Sequence, residues 1–554
     1  MKRSPIFCLL AVFVILLASC KSGNKSDLFI PKDAAVVFHV NSSSLSSKLS
    51  WEEIKKTAWF QDVYNEKSTD SFAKKIMDNP DASGIDVKSD FVFFMTKRGR
   101  GGYGVFEGSV KDAAAFEALV KKGSLQAKTE KDGDWNVVIA DNKTVAIWNN
   151  SKFAVLSDMS MGNMNPMGGS MRESVRFGAD SLKIFAKQVM TLDSDESLFN
   201  DDRFADIMKE SGDMHFWMNA VSLYSDMAGM MSMMKIGNLL QDNVTAATLS
   251  FDEGKITAKM KQFYGKEMQK AMDKWKFKKV DAAVLNRIPS QNVIGVMAMN
   301  MEPDGLKEFM KAIGVDGFIN MALADANLTM DEIISATKGE FVMAVTDLQM
   351  KDTTFTFPST GGEAPASYTS RQPDMNIFFA TSVNNRASFD KLITTFTKDG
   401  GKLPFAYQLN NDWFVAGNKP EAVNGFLAGG NTKHAFTDKI SGHPFGFYLD
   451  IQRILKTNFS ENASSKALLA ESAAVWQDMV MIGNDYKDGV ASSELVINMV
   501  DTKTNSLKQL NNYMEKLNAS RKANKVAFGG DNDVNIDSLP MTEAAPPVSA
   551  DTAH

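Results

Sequence analysis

The sequence predicts an α+β protein made of two tandem, internally duplicated domains of mainly antiparallel sheet with packed helices. Two observations predict this class: short alternating strands follow one another through tight turns with single helices between them, and the same order of elements is written twice. Hairpin-linked strands favour antiparallel pairing, whereas a doubly wound parallel sheet requires strand and helix to alternate throughout. We therefore expect each copy to form its own sheet and its own core.

The chain begins with the features of a secretory signal. Met1-Lys2-Arg3 is positively charged, residues 6–17 are almost wholly apolar, and Ala18-Ser19 precedes Cys20. This arrangement is typical of an exported protein, and the apolar run is too short for a stable membrane span. The Leu-Ala-Ser-Cys stretch resembles the lipobox of bacterial lipoproteins, which implies cleavage before Cys20 and acylation of that residue. An ordinary signal peptide with a chance cysteine is the alternative.

These features give the predicted boundaries along the chain. We expect a lipoprotein signal peptide at residues 1–19, a polar tether at 20–28, repeat domains at 29–275 and 288–515, and a disordered tail at 521–554. The tail is assigned because its Gly-Gly, Pro-Pro and small polar residues show no periodicity. The expected location is the cell envelope, where the lipid on Cys20 would hold the chain at the outer membrane.

The duplication is the main structural prediction. The first copy begins with Ile30-Pro31 and a strand at residues 35–41, and the second begins with Ile288-Pro289 and a strand at 293–300. Further matches follow in the same order: strands 91–96 and 341–346, strands 103–110 and 376–383, helices around Phe116 and Phe389, hairpins 142–148 and 410–416, strands 215–219 and 445–450, and closing hairpins 245–262 and 479–499. Repetition at consistent offsets indicates duplication rather than chance. We expect Phe116 and Phe389 to be buried in equivalent positions, and residues 350–373 to be a loop inserted in the second copy.

Two local patterns predict particular backbone features. Ser50 precedes Trp51 with Glu53 three residues on, which predicts a capping box at a helix start. Gly99 to Gly104 reads G-x-G-x-x-G after a strand, but the residues that follow alternate like another strand. Since a dinucleotide site requires that loop to open a helix, we expect a hairpin turn there.

The order of these elements, the lipobox and the opening Ile-Pro-Lys-Asp-Ala resemble an uncharacterised family of Bacteroidota lipoproteins, the domain of unknown function 4836 family. The likeness covers residues 28–515 and rests on diffuse patterns and the duplication rather than on a sharp motif. It implies an exported, lipid-anchored α+β protein. It supplies no activity, cofactor or catalytic residue to carry over.

Composition excludes several function classes. Cys8 would be lost with the signal and Cys20 consumed by lipid, which leaves no thiol for catalysis or for a thiolate metal site. Removal of Lys2 and Arg3 would bring the formal net charge from −6 to −8. Because the remaining Lys and Arg are scattered along an acidic chain, we expect no nucleic-acid partner. No cofactor is expected either.

The histidines give no catalytic or metal motif. His39 and His215 fall on predicted strands, where a single histidine is usually a hydrogen-bonded packing residue, and His434 and His443 flank a loop. The last two would form a zinc site only with a third ligand. The sequence contains neither H-E-x-x-H nor G-x-S-x-G, so the commonest zinc-protease and serine-hydrolase motifs are absent.

Methionine is the one composition signal that suggests chemistry. Met159, Met161, Met164 and Met167, with Met171, are closely spaced in a Gly/Asn/Pro segment. Thioethers at this density favour Cu(I), and the alternative is a pliable loop that packs its methionines on an apolar surface. A second run at residues 227–234 follows helical spacing, which favours core packing, or else an adaptable groove for an apolar ligand or partner helix.

Together these patterns predict a lipid-anchored cell-envelope protein that is a non-enzymatic binding or envelope-structural protein. Its expected partners are the membrane, through the lipid on Cys20, and an envelope protein or apolar ligand. An envelope hydrolase with a dispersed active site, or Cu(I) binding by the methionine-rich loop, are the alternatives. A deep cleft with convergent acids or a His–acid pair would favour the enzyme, and a shallow or apolar groove would favour binding.

Overall fold

The computed structural model describes residues 28–66, 71–123, 129–140, 143–159, 175–224, 236–324, 327–357, 366–397, 405–430, 432–457, 459 and 463–528. The predicted signal peptide, Cys20 and the tether up to Asp27 lie outside these ranges. The predicted tail at 521–554 begins within the last helix, which runs to Phe528, and its remainder lies outside them.

The N-terminal half, residues 28–275, begins with a strand followed by a group of short helices. Its strands are β1 (Ala34–Val40), β2 (Phe91–Arg98), β3 (Gly101–Ser109), β4 (Glu130–Asp132), β5 (Trp135–Ala140), β6 (Thr144–Trp148), β7 (Lys152–Asp158), β8 (Met214–Asn219), β9 (Val244–Asp252) and β10 (Lys255–Phe263). Its helices are α1 (Ser42–Lys48), α2 (Trp51–Lys55), α3 (Ala58–Asn65), α4 (Ser71–Asp78), α5 (Ala113–Gly123), α6 (Ala179–Met190), α7 (Asp202–Lys209), α8 (Ala220–Tyr224), α9 (Ile236–Leu240) and α10 (Lys266–Met272). The predicted capping box at Ser50 and Glu53 is confirmed at the start of α2.

The C-terminal half, residues 276–528, repeats this plan and ends in a long helix. Its strands are β11 (Val293–Asn300), β12 (Thr337–Phe357), β13 (Ala366–Val383), β14 (Ala406–Leu409), β15 (Trp413–Gly417), β16 (Phe445–Leu449), β17 (Trp476–Gly483) and β18 (Val490–Met499). Its helices are α11 (Ala282–Leu285), α12 (Pro303–Ala312), α13 (Asp316–Ala324), α14 (Met330–Ala336), α15 (Arg386–Thr397), α16 (Pro420–Ala428), α17 (Thr437–Ile440), α18 (Ile451–Lys456), α19 (Ala463–Ala473) and α20 (Ser506–Phe528).

These strands form one antiparallel sheet with helices packed on it, so the α+β class is confirmed. The order across the sheet is β4-β5-β6-β7-β3-β2-β1-β8-β9-β10-β18-β17-β16-β11-β12-β13-β15-β14. The expectation of a separate sheet for each half is wrong, because β10 pairs with β18 along its whole length. Each of these strands would otherwise be an edge with unpaired N–H and C=O groups, and the pairing satisfies both edges.

Within each half the strands pair in the same order. The run β9-β8-β1-β2-β3-β7-β6 in the N-terminal half matches β17-β16-β11-β12-β13-β15-β14 in the C-terminal half. The first strand of each half along the chain, β1 and β11, carries a bulge at the same place, between Ala34 and Val36 and between Val293 and Gly295. A bulge changes which residues face each other, so this shared irregularity fixes the residue-by-residue match of the two halves.

The matched helices predicted around Phe116 and Phe389 lie in equivalent surroundings. Phe116 is 2% exposed and its ring lies 4.9 Å from that of Phe153 on β7. Phe389 is 7% exposed and stacks at 5.2 Å on Phe414 of β15. By strand register Phe153 and Phe414 are equivalent, since they lie opposite Gly108 and Thr381 at matching points of β3 and β13.

Two details of the predicted match need correction. The hairpin equivalent to residues 410–416 is not 142–148 but the next one, because β7 and β15 are the strands that pair with β3 and β13. The side chains of Asn149 and Asn410 close these equivalent turns by accepting from the backbone N–H of Lys152 and Trp413, at 2.9 and 2.7 Å. The two hairpins of the N-terminal half have similar alternation, and the asparagine turn identifies the one that is equivalent to residues 410–416.

The segment 350–373 is not an irregular loop. Strands β12 and β13 continue beyond the body of the sheet as a two-stranded arm, paired from Gln349 opposite Asp374 to Phe357 opposite Ala366. Residues 353–357 are all threonine or phenylalanine, which favour extended backbone. Residues 358–365, at the end of the arm, lie outside the described ranges.

The last helix, α20, links the two halves a second time. Its Asn511 side chain accepts from Nε1 of Trp59 at 3.1 Å, and its Lys508 forms an ion pair with Glu53 at 2.6 Å. The hydrogen bond from Lys508, with those from Ser50, lowers the pKa of Glu53 to about 2. The two halves are therefore joined by the β10–β18 strand pairing and by the contacts of helix α20. This part of the described chain does not form an open cleft between them.

Candidate binding face

One face of the sheet carries apolar side chains that the helices leave partly exposed. In β1 the residues alternate: Val37 and His39 point into the buried core, and Phe38 points to the opposite face, where it is 39% exposed. Its cross-strand neighbours are Phe93 and Phe216, with ring centroids 6.4 and 5.0 Å away. An antiparallel sheet with one solvated face normally places polar residues there, so a row of phenylalanines departs from that pattern.

The C-terminal half repeats this row at the equivalent positions. Met297 occupies the place of Phe38 and lies between Met343 and Phe447. Met343 is 42% exposed and faces Phe379 on the next strand. The same face of the same strands is therefore apolar and accessible in both halves.

Apolar residues also connect the two rows across the junction. Ala247 on β9 lies beside Phe216 and Met260, and on the other side of the junction Leu495 of β18 lies between Ala258 and Met481. Met481 is in turn the neighbour of Phe447. The apolar face is defined by these rows: Phe38, Phe93, Phe216, Ala247, Met260, Ala258, Leu495, Met481, Phe447, Met297, Met343 and Phe379. Contiguous exposed apolar surface of this kind marks interaction sites.

Only the first residue of the methionine-rich loop is within the described residues. The side chain of Met159 packs over Gly104 on β3, next to the ring of Phe93, and a Cβ at Gly104 would collide with the Met159 sulfur. Met161, Met164 and Met167 lie outside the described ranges, as does the run at 227–234. Met159 thus lies at the border of the apolar face.

The structure brings His39 and His215 together, which the sequence analysis did not predict. Their Nδ1 atoms are 3.1 Å apart, Nε2 of His39 lies 3.1 Å from Asp90, and Nε2 of His215 lies 3.0 Å from the carbonyl oxygen of Glu210. Both rings are buried. One Nδ1 donates and the other accepts, so the bond requires that at least one ring be neutral.

A buried carboxyl, Glu107, was also missed by the sequence analysis. Burial raises the pKa of Glu107 to about 8, and its Oε1 accepts from the backbone N–H of Phe29 at 2.9 Å. The ammonium group of Lys152 lies 3.7 Å from the centre of the Phe29 ring. These contacts hold the first residues of the fold, which immediately follow the predicted tether.

The remaining candidates from the sequence have contacts that stabilise the fold. Nε2 of His434 donates to the carbonyl oxygen of Ile288 at 3.2 Å, its ring stacks on Phe436, and burial lowers its pKa. Among the described residues no three His, Cys, Asp or Glu side chains are grouped to hold a metal ion. The G-x-G-x-x-G stretch forms the β2–β3 hairpin, as predicted.

None of the helices within the described ranges is long and apolar enough to cross a membrane. A family model described as "Domain of unknown function (DUF4836)" matches residues 27–360. No curated protein sequence matches the chain.

Two solved structures show a weak likeness. The structure titled "Structure of crystal form I of TP0453" is 12% identical, with 44% of this chain and 81% of that chain covered, at a TM-score of 0.23. "Structure of crystal form III of TP0453" is 10% identical, with 45% and 86% covered, at a TM-score of 0.24. Scores this low carry no inference about fold or function.

Proposed function

Because the chain belongs to the domain of unknown function 4836 family, whose name assigns no activity, we propose its function from its own sequence and surface. It is a lipid-anchored protein of the cell envelope that acts by binding, and its apolar face receives the apolar surface of another envelope protein. The anchor is the lipid on Cys20, and seven residues separate Cys20 from the first described residue, Leu28.

The observation that carries this proposal is the recurrence of the apolar face in both halves. Apolar surface left in water costs roughly 25 cal/mol per Å² relative to burial. The equivalent residues differ in identity, Phe38 against Met297 and Phe93 against Met343, but all are large and apolar. A face that keeps this property while its residues change is better suited to a partner than to solvent.

The alternatives have less support. A hydrolase would need His39 and Asp90 as its His–acid pair. The His39 ring is fully buried, however, and no substrate reaches it in this conformation. A Cu(I) site would draw on the methionine-rich loop, and its described member, Met159, packs on Gly104. Binding through the apolar face requires neither group to change position.

Site-specific photo-crosslinking in living cells tests the binding proposal. A photoreactive phenylalanine derivative placed at Phe38 or Met343 should crosslink to one and the same envelope protein, because both positions lie on the apolar face. The control is Lys259, which is exposed on the opposite face of β10. Absence of a product at both positions, or the same products from Lys259, would contradict the proposal.

The anchor is tested separately. Cells expressing the wild type and Cys20→Ala are labelled with palmitate and fractionated. The wild type should carry label and sediment with membranes, whereas the variant should lack label. A wild-type protein that takes up no label and remains in the soluble fraction would contradict lipid anchoring.

A further inference from the structure

A groove in the C-terminal half has a chemistry different from that of the apolar face. It has a cavity volume of about 490 Å³ and lies between the base of the β12–β13 arm and helix α18. The arm contributes Gln349 and Arg371, and the helix with the residue before it contributes Asp450, Gln452, Arg453 and Lys456. Three cationic side chains and one carboxylate therefore line the same groove.

The guanidinium of Arg453 is held in place by the wall of the groove. Its Nε donates to Asp450 at 3.1 Å and its Nη1 donates to the side chain of Asn292 at 3.1 Å. Among the described residues its Nη2 has no partner. A guanidinium fixed at two of its nitrogens presents its remaining N–H groups in a defined direction, which suits an oxyanion.

Lys456 lies one turn further along α18, so its side chain is on the same side of the helix as Arg453. It is exposed, and within the described ranges it forms no ion pair. The carboxylate of Asp450 is occupied, since it accepts from both the backbone N–H and Nε of Arg453. The charge that remains available in the groove is therefore positive.

The N-terminal half has different residues at the described positions equivalent to this groove. By strand register Asn219 and Ser222 take the places of Asp450 and Arg453, and they keep the helix cap, in which the Asn219 side chain accepts from the Ser222 backbone N–H at 3.2 Å. The arm that supplies Arg371 is an extension confined to the C-terminal half. The cations are thus not needed to form the shared backbone.

We propose that this groove is a binding site for the phosphate monoester group of a small organic ligand. A phosphate monoester carries close to two negative charges at neutral pH, which suits a groove lined by three cationic side chains and one carboxylate. Arginine matches the geometry of phosphate oxygens, and lysine adds a point charge. The amide of Gln452 provides polar contacts for the organic part. This site goes beyond the proposed function and does not depend on the apolar face.

The phosphate group could belong to a soluble sugar phosphate or to a lipid headgroup, and two probes distinguish these sources. Glucose 1-phosphate is titrated by calorimetry into the full-length protein in neutral detergent, with glucose as reference. Vesicles of phosphatidylcholine with and without phosphatidic acid are tested by co-sedimentation. Binding of either phosphate probe, weakening as salt is raised, supports the site, and the tighter probe identifies the source.

Matched charge variants make the test specific. Lys456→Gln and Arg371→Gln should each weaken binding of the preferred probe about tenfold, which is the usual effect of losing one charge-assisted hydrogen bond. Lys351→Gln is the control, because Lys351 is exposed on the same arm but, by strand alternation, on the opposite face from Arg371. Circular dichroism confirms that each variant is folded.

The proposal is overturned if neither phosphate probe binds at low ionic strength. It is also overturned if Lys351→Gln weakens binding as much as Lys456→Gln, since the attraction would then be a general effect of surface charge. Binding of both probes with loss in the two groove variants alone supports it.

Discussion

The two halves share a backbone fold and differ in the side chains that they bury in their cores. At three equivalent core positions the N-terminal half has titratable side chains: His39, His215 and Glu107. The C-terminal half has small residues at the same positions: Ala298, Gly446 and Ala380. At Gly446 the space is taken by Ile440, with which a Cβ would collide. Two different core chemistries therefore fit the same strand register.

The comparison also shows which features did not diverge. The bulge after Ala34 and Val293 and the asparagine turns at Asn149 and Asn410 are retained. Each of these sets the register of a strand pair, and a one-residue slip would move every side chain of the strand to the other face. A core side chain, in contrast, can change once its neighbours supply a hydrogen-bond partner or fill the space.

The largest loss of stability is expected when the matched residues Phe116 and Phe389 are truncated. Phe116→Ala should lower the free energy of unfolding by about 4 kcal/mol, the usual cost of removing a buried aromatic ring. Phe389→Ala should cost less, about 3 kcal/mol, because Phe389 is slightly more exposed and contacts fewer rings. Urea unfolding of the two variants measures both. A cost near zero for either would show that the two helices are not equivalent supports of the sheet.

The buried carboxyl of Glu107 predicts that the stability of the protein depends on pH. The pKa of Glu107 is raised from 4.5 to about 8, so the native state keeps a proton that the unfolded state releases as pH rises above 4.5. Its stabilising contribution is full below that pH and is lost as pH rises through 8. Wild type should lose on the order of 3 kcal/mol between pH 5 and pH 9 relative to Glu107→Gln.

Unfolding in urea at the two pH values measures this difference. Glu107→Gln keeps the shape of the protonated carboxyl and cannot ionise, so all other titrating groups cancel in the comparison. Identical pH slopes for wild type and variant would mean that the carboxyl is not buried as the structure has it.

The histidine pair predicts non-additive substitutions. His39→Ala and His215→Ala should each cost about 2 kcal/mol, because each leaves the other ring with an unpaired buried nitrogen. The double variant reproduces the small residues of the C-terminal half and should cost clearly less than the sum. A thermodynamic cycle from urea unfolding gives the coupling, and strict additivity would exclude the hydrogen bond between the two rings.

The smallest loss of stability is expected at the junction of the two halves. Lys508→Ala removes the ion pair with Glu53, but both side chains are about two-fifths exposed, so water and salt screen the interaction. A loss of about 0.5 kcal/mol is expected. We expect the β10–β18 pairing, rather than helix α20, to hold the two halves together. A loss of several kcal/mol in the free energy of unfolding of Lys508→Ala would instead assign that role to helix α20.

Local features were predictable from the sequence because their causes are local. The capping box at Ser50 and the hairpin after Gly99 depend on residues three to five positions apart. Phe116 and Phe389 were recognised because whole elements repeat around them. The arm was missed because proline and glycine at residues 358–362 were weighted above the alternation of threonine and phenylalanine before them.

Features formed by distant residues were not predictable. His39 and His215 are 176 positions apart, and no pattern on either strand indicates the partner. The pairing of β10 with β18 likewise follows from two strands that are each the last of their half, which alternation alone does not indicate. The apolar face was hidden because an exposed phenylalanine and a buried one look the same in a strand.

Oxidation of methionine in intact cell envelopes tests whether a partner covers the apolar face. Met343 lies on the apolar face and is 42% exposed, and Met514 lies on helix α20, is not among the residues that define that face, and is 49% exposed. In the purified protein peroxide should oxidise both at similar rates. In intact envelopes Met343 should be protected from oxidation, because a partner covers the apolar face. Met514 should be oxidised as in the purified protein. Equal oxidation of both residues in the envelope would contradict it.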